Sequence, residues 1–234
     1  MNNDHNTNSK GNLQPKSNRS SEKNAGIALI FERIGQNGEY ALGCSRNAKS
    51  EQENQLRAYA KENDLLISEE TVINNSSKRF PPGKEARVFL DKNGKDIIKI
   101  VNYGVYSDTP LSFYENRIRL FNELFPETAY EIMGFSENEK GFRFVVRQPF
   151  IQGTLLLNLT GSPEKFLAQQ ERVKNYMQER LSMNFYGLDA FTDGNVLVQD
   201  LHLKNVIEGT DGNLYVIDAV PSTMISLTAS LYAV

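Results

Sequence analysis

The chain has 234 residues, 39% of them hydrophobic and 24% charged, with a formal net charge of −3. This is enough apolar material for one domain-sized core, and the slight acidity offers no electrostatic case for a nucleic-acid partner. A single cysteine, Cys44, rules out an internal disulfide, and with two histidines it cannot complete an all-protein zinc site of the usual kind, so a reducing, cytoplasmic setting is expected.

Residues 1–25, rich in Asn, Ser and Lys, have little to bury and read as a disordered leader. The apolar run that follows, Gly26-Ile-Ala-Leu-Ile-Phe31, is far too short for a membrane helix, and no signal peptide is visible. A short helix is expected from Glu51 to Leu65, packing through Leu56, Tyr59 and Ala60. Strand patterns begin at Gly83-Lys-Glu-Ala86-Arg-Val88-Phe-Leu-Asp, turn at Lys92-Asn-Gly-Lys95, and return through Asp96-Ile-Ile-Lys99-Ile-Val101. Lys99 thus stands inside an apolar strand, where simple alternation toward solvent is the lesser reading.

Thr109 can cap and Pro126 can end a helix over 109–126. At 100° per residue Leu111, Glu115, Ile118, Asn122 and Phe125 share one face, which places Glu115 among apolar neighbours and turns Glu123 away. Two antiparallel strands follow, around the turn Asn138-Glu-Lys-Gly141, and lead into a connector stiffened by Pro149. Ser162 and Pro163 start a further helix running to about Leu181, with Phe166, Val173, Met177 and Leu181 as its core contacts.

The most informative stretch is Asp200-Leu-His-Leu-Lys-Asn205, followed by Asp218 at the end of the apolar run Leu214-Tyr-Val-Ile. The turn at Gly212-Asn213 predicts a hairpin that brings Asn205 to Asp218. Taken alone, an Asp and an Asn five residues apart read equally as turn and cap residues. A carboxylate closing a strand buried on both faces is harder to explain without a cation beside it. Hard oxygens of an Asp and an Asn suit Mg²⁺, and a second, free Asp suits an acceptor hydroxyl, the combination that phosphoryl transfer requires.

Taken together, the glycine turn, the lysine strand, the acid-bearing helix, the Gln148-Pro149 connector, the D-L-H-x-x-N loop and Ile217-Asp218 resemble the protein-kinase-like superfamily. From about Ile67 to Pro221 the chain resembles the kinase-like domain of bacterial and phage polyvalent proteins, large mobile-element proteins built of many small domains. The phrases Gly83-Lys-Glu-Ala-Arg-Val, Asn122-Glu-Leu-Phe-Pro-Glu-Thr, Gln148-Pro-Phe-Ile-Gln-Gly and Val216-Ile-Asp-Ala-Val-Pro carry that resemblance.

The resemblance implies an α+β, small two-lobe kinase-like fold. An antiparallel N-lobe sheet with a preceding helix would occupy residues 26–150, and a reduced helical C-lobe residues 151–234. It implies ATP and Mg²⁺ as cofactors, with Gly83, Ala86 and Val88 covering the nucleotide and Gln148 to Ile151, Phe150 included, meeting the adenine. Lys99 would hold the phosphates with Glu115 as its partner, Asn205 and Asp218 would hold the metal, and Asp200 would serve the acceptor, a protein or a small molecule. Departures are visible too: Val198-Gln199 precedes Asp200 where protein kinases have His-Arg, and Ala-Val-Pro follows Asp218 in place of Phe-Gly. A non-catalytic nucleotide-binding or interaction module, a pseudokinase, is therefore the alternative, and a nucleotidyl transferase would use the same metal residues.

Overall fold

The computed structural model describes residues 16–36, 46–105, 107–139 and 141–224. Residues 1–15 of the expected leader, Cys44 and residues 225–234 lie outside the described residues. Helix α1 (Lys16–Gln36) shows that the second half of the expected leader is helical. Ile27, Ile30, Phe31 and Ile34 follow the i, i+3, i+4, i+7 rule and are all buried, so an apolar stripe beginning at residue 27 anchors a helix that extends back toward the N-terminus. Helix α2 (Arg46–Glu62) buries Leu56 and Ala60 beside it, as expected for the 51–65 segment. Among the described residues no helix is long and apolar enough to cross a membrane.

After α3 (Glu69–Asn74), strands β1 (Ser76–Arg79), β2 (Ala86–Asp91) and β3 (Asp96–Val101) are joined through β5 (Gly141–Pro149) to β4 (Glu131–Asn138) in one antiparallel sheet of order β1-β2-β3-β5-β4. Register fixes which side chains share a face: Val88 lies opposite Lys99, and Lys99 opposite Val146. This inner face joins the main core, where Phe144 meets both Phe31 and Phe135 and Tyr114 stacks on Phe31 with ring centroids 4.1 Å apart. The outer face carries a smaller cluster of Phe89, Ile98, Ile100 and Val145, covered by Val72 of α3. Burying one such side chain is worth about 1.5–3 kcal/mol, so this short helix seals its end of the sheet.

Between the third and fourth strands runs a continuous rod made of α4 (Pro110–Phe113), a π-helical stretch (Tyr114–Leu120) and α5 (Phe121–Leu124). Its start is as the sequence predicts: Thr109 accepts from the Ser112 amide and Pro110 occupies the first turn. Helix α6 (Pro163–Leu181) also begins as expected, with Ser162 accepting from the Lys165 amide. Val173 and Met177 are buried and Leu181 packs partly against the core, but Phe166 is 38% exposed because the first turns of α6 stand clear of the body.

The C-terminal half holds far more strand than the expected helical lobe. β6 (Gly153–Leu155) joins β10 (Val206–Gly209) and β11 (Leu214–Val216) in one antiparallel sheet. β7 (Asn184–Gly187), β8 (Ala190–Thr192), β9 (Val196–Gln199) and β12 (Val220–Thr223) form another. Positive-φ residues Leu188, Asp189, Gly194 and Gly212 cut the chain here into segments too short for helices and well suited to hairpins. Gly153 is required in β6, since a Cβ there would run into the Glu208 carbonyl of the neighbouring strand.

Candidate functional site

Lys99 points inward from β3 and is 8% exposed, so alternation toward solvent is not its explanation. Its Nζ donates to the Tyr130 hydroxyl at 2.9 Å and to the Ile217 carbonyl at 3.1 Å, and stands 3.8 Å from Asp218 Oδ2. Burial works against the ammonium, but Tyr130 and Asp218 outweigh it and leave the Lys99 pKa above its usual value. The lysine strand is thereby tied directly to the end of the β10–β11 hairpin.

Glu115 does not partner Lys99. Its side chain is 41% exposed and bonds Arg119 at 2.5 Å on the outside of the rod. The expected face assumed 100° per residue, whereas the stretch from Tyr114 is bonded i to i+5, and the wider turn advances less per residue. The inward residue is therefore Arg117, with Phe113 and Phe121 buried one turn to either side. Arg117 donates to Glu85 Oε1 at 2.8 Å and to Asp218 Oδ1 at 3.0 Å. Asn122, expected on the apolar face, instead clamps the Tyr130 backbone, accepting from its amide and donating to its carbonyl.

Four charged groups, Lys99, Arg117, Glu85 and Asp218, thus close one buried cluster. Burial is the largest influence on Glu85 and lifts its pKa to about 7, Arg117 opposing that rise and the Asp218 charge adding to it. Burial also opposes the Arg117 charge, but Asp218 and Glu85 keep its pKa above the usual value. A space of about 10 Å³ remains among these side chains, room for roughly one water. Glu85 and Arg117 carry no recognisable spacing in the sequence. The available signals were an acid directly after Gly83-Lys84 and a cation midway between Phe113 and Phe121 of the rod.

The D-L-H-x-x-N loop connects β9 to β10. Asp200 has φ 58, a left-handed conformation that Asp tolerates better than most residues. The Asn205 amide holds it there, donating to the Asp200 carbonyl at 2.7 Å and to Oδ2 at 3.3 Å, while His202 Nε2 sits 3.2 Å from Oδ1. The hairpin forms as expected: Val206 pairs with Val216, and the Ile217 amide donates to the Asn205 carbonyl at 2.9 Å. Strand β11 stops at Val216, however, and Asp218 lies just beyond it with its side chain 33% exposed, not within a strand buried on both faces.

Ala86 and Val88 share the inner face with Lys99, as the nucleotide-covering role requires, and the Gly83 amide closes a turn onto the Ala86 carbonyl at 3.1 Å. The expected connector begins later than predicted. β5 continues through Pro149, the Gln148 side chain is buried and donates to the Thr128 carbonyl, and the Phe150 amide donates to the Lys95 carbonyl at 2.8 Å. Both donors are thus engaged within the fold.

As a home for a divalent cation, the donor chemistry fits. With its nitrogen committed to Asp200, the Asn205 side-chain oxygen has no donor among the described residues, and Asp218, next in chain to the Ile217 that bonds the Asn205 backbone, offers a part-exposed carboxylate. Among the described residues there is no group of three or more His, Cys, Asp or Glu side chains arranged for a metal. Two protein oxygens with phosphate and water as the remaining ligands is the usual economy of Mg²⁺ in nucleotide sites.

Residues 49–224 match the family model described as a serine/threonine/tyrosine kinase found in polyvalent proteins. Comparison with curated proteins gives no match.

Proposed function

We propose that this chain, which belongs to the kinase family found in polyvalent proteins, is an ATP- and Mg²⁺-dependent phosphotransferase. The five-stranded sheet would form the nucleotide-covering lobe of a two-lobe kinase fold, with the C-terminal half as the reduced second lobe. The observation that carries the reading is the convergence on Ile217-Asp218 of the lysine strand, through Lys99, and of the Asp200 loop, through Asn205. No step of this convergence depends on Glu115.

Lys99 would bind phosphate oxygens, and Arg117 would orient Asp218 while linking it to Glu85 beside the glycine turn. Asn205 and Asp218 would hold Mg²⁺, which when bound neutralises charge on the transferring phosphoryl group. Asp200, fixed in its turn by Asn205 and flanked by His202, would take the proton of the acceptor hydroxyl on its carboxylate. The acceptor is a protein or small-molecule hydroxyl, and the compartment the cytoplasm.

A second reading, a pseudokinase that binds nucleotide without transferring it, is favoured by one feature: both oxygens of Asp218 already face cations, Arg117 and Lys99. Thermal-shift titration with ATP, with and without Mg²⁺, on wild type, Lys99→Ala and Asp218→Asn tests the site. ATP at 100 times its Kd is expected to stabilise the wild type by about 2.7 kcal/mol, with the gain lost in both variants. Product analysis by mass spectrometry then separates phosphoryl from nucleotidyl transfer. ATP binding without any transferred group, unchanged by Asp200→Ala, would leave the pseudokinase reading standing.

A further inference from the structure

The outer face of the five-stranded sheet is rich in arginine. Arg79 lies opposite Phe89, Arg87 opposite Ile100, and Arg143 two residues before Val145, all on the side away from Lys99. They line a cleft of about 740 Å³ together with Lys84, and the lining is largely polar. Three acids share the cleft, but Glu69 is ion-paired to Arg87 and Glu85 is bonded inward to Arg117, which leaves Glu139. Arg79, Lys84 and Arg143 have no acidic partner among the described residues.

Arg143 is the decisive member. Its Nε is buried with no acceptor, although a guanidinium N–H removed from water ordinarily finds one. Burial first, and the Arg143 charge second, push the Arg87 pKa below its usual value, so the two guanidiniums repel across the cleft. Such a pair is costly in the empty protein and favourable once a multivalent anion lies between them.

We propose that this cleft is a second anion site, built for the dianionic phosphate of a phosphate monoester and set on the sheet face away from Lys99. Arg143 would grip the phosphate oxygens, with Arg79 and Lys84 supplying charge at the rim and Arg87 staying paired to Glu69. The volume exceeds what a lone phosphate fills, so the group can arrive free or on a phosphorylated serine side chain. The cleft adjoins the Lys99 site through Glu85 and Ala86, which line both, but its arginines stand on the other face of the sheet, so phosphate held by Arg143 and ATP phosphates held by Lys99 are expected to bind together.

The test is calorimetric titration of the full chain, at saturating ATP, with inorganic phosphate, with a phosphoserine peptide and with the same peptide unphosphorylated. Phosphate and phosphopeptide are expected to bind, the bare peptide not. Arg143→Gln is expected to weaken binding by about tenfold or more while leaving the ATP-induced thermal shift intact. Arg79→Gln combined with Lys84→Gln provides the same reading should Arg143→Gln melt early. A phosphopeptide much tighter than inorganic phosphate assigns the site to phosphorylated protein, and equal affinities assign it to free phosphate. No binding of either species, equal binding in all variants, or displacement by ATP would overturn the proposal.

Discussion

Helix α6 and the rod at 110–124 start with the same device, a hydroxyl cap followed by proline, and finish in different registers. In α6 the turns stay regular, and the buried pair Val173 and Met177 lies on the face that 100° per residue predicts. In the rod a π-helical stretch begins at Tyr114 and turns Arg117 inward in place of Glu115. A cap decides where a helix begins; only packing and charge along its length decide which residues it presents. The rod accepts the less common geometry at the place where a guanidinium bridges Asp218 and Glu85, and π-turns are frequent at functional sites.

The sharpest way to break that contrast is to remove the bridging charge. Arg117→Ala leaves the half-buried Glu85 and the part-exposed Asp218 without their shared cation and is expected to destabilise the fold by about 3 kcal/mol in urea unfolding. In a double-mutant cycle with Glu85→Gln the combined loss should fall short of the sum, by roughly 0.5–3 kcal/mol. Strict additivity would mean that the contact carries no coupling.

A smaller effect is expected from pH. Glu85 has its pKa raised from an ordinary 4.5 to about 7, so the folded protein holds that proton more tightly than the unfolded chain. Its contribution is full below about pH 4.5 and is lost as pH rises through about 7, lowering unfolding free energy by roughly 2–3 kcal/mol across that window. Glu85→Gln should flatten this part of the stability profile; an unchanged slope would place the titration elsewhere.

Thr109→Ala and Ser162→Ala, which remove the matching caps, should each cost about 1 kcal/mol. Equal losses would show that the two starts are energetically alike and that the difference lies downstream. The smallest effect belongs to Glu115→Ala, an exposed acid bonded to Arg119, expected within about 0.5 kcal/mol and without influence on ATP binding. A loss of ATP binding in this variant would restore Glu115 to the site and contradict the register described here.

Much of the site was legible because its signals are local. The turn at Gly212-Asn213 specifies the hairpin that sets Asn205 beside Ile217, and an apolar strand around Lys99 announces the β3 pairing. Glu85 and Arg117 were not legible, since a partnership between residues thirty-two positions apart depends on how a helix is wound and packed. The connector was placed too early for a related reason. Pro149 suggests an exit from the sheet because it removes a backbone donor, yet it is the last residue of β5 and still pairs with Asp96. The strand content after residue 183 was underestimated because many of the pieces are only three or four residues long and pair with distant partners.

The short segment between the rod and β4 also has a mechanical meaning. Thr128 donates through its hydroxyl to the Val216 carbonyl and accepts from Gln148 through its own carbonyl, and Tyr130 adds a bond to the Ile217 carbonyl at 3.2 Å. These buried bonds rivet β5 to the end of β11 at one point, as a pin joins two plates. Shear between the five-stranded sheet and the hairpin would have to break several buried hydrogen bonds at once. The joint is braced a second time by Lys99 on the Ile217 carbonyl and by Arg117 between Glu85 and Asp218, so in hydrogen exchange the amides of β5 and of Ile217 should be among the last to open.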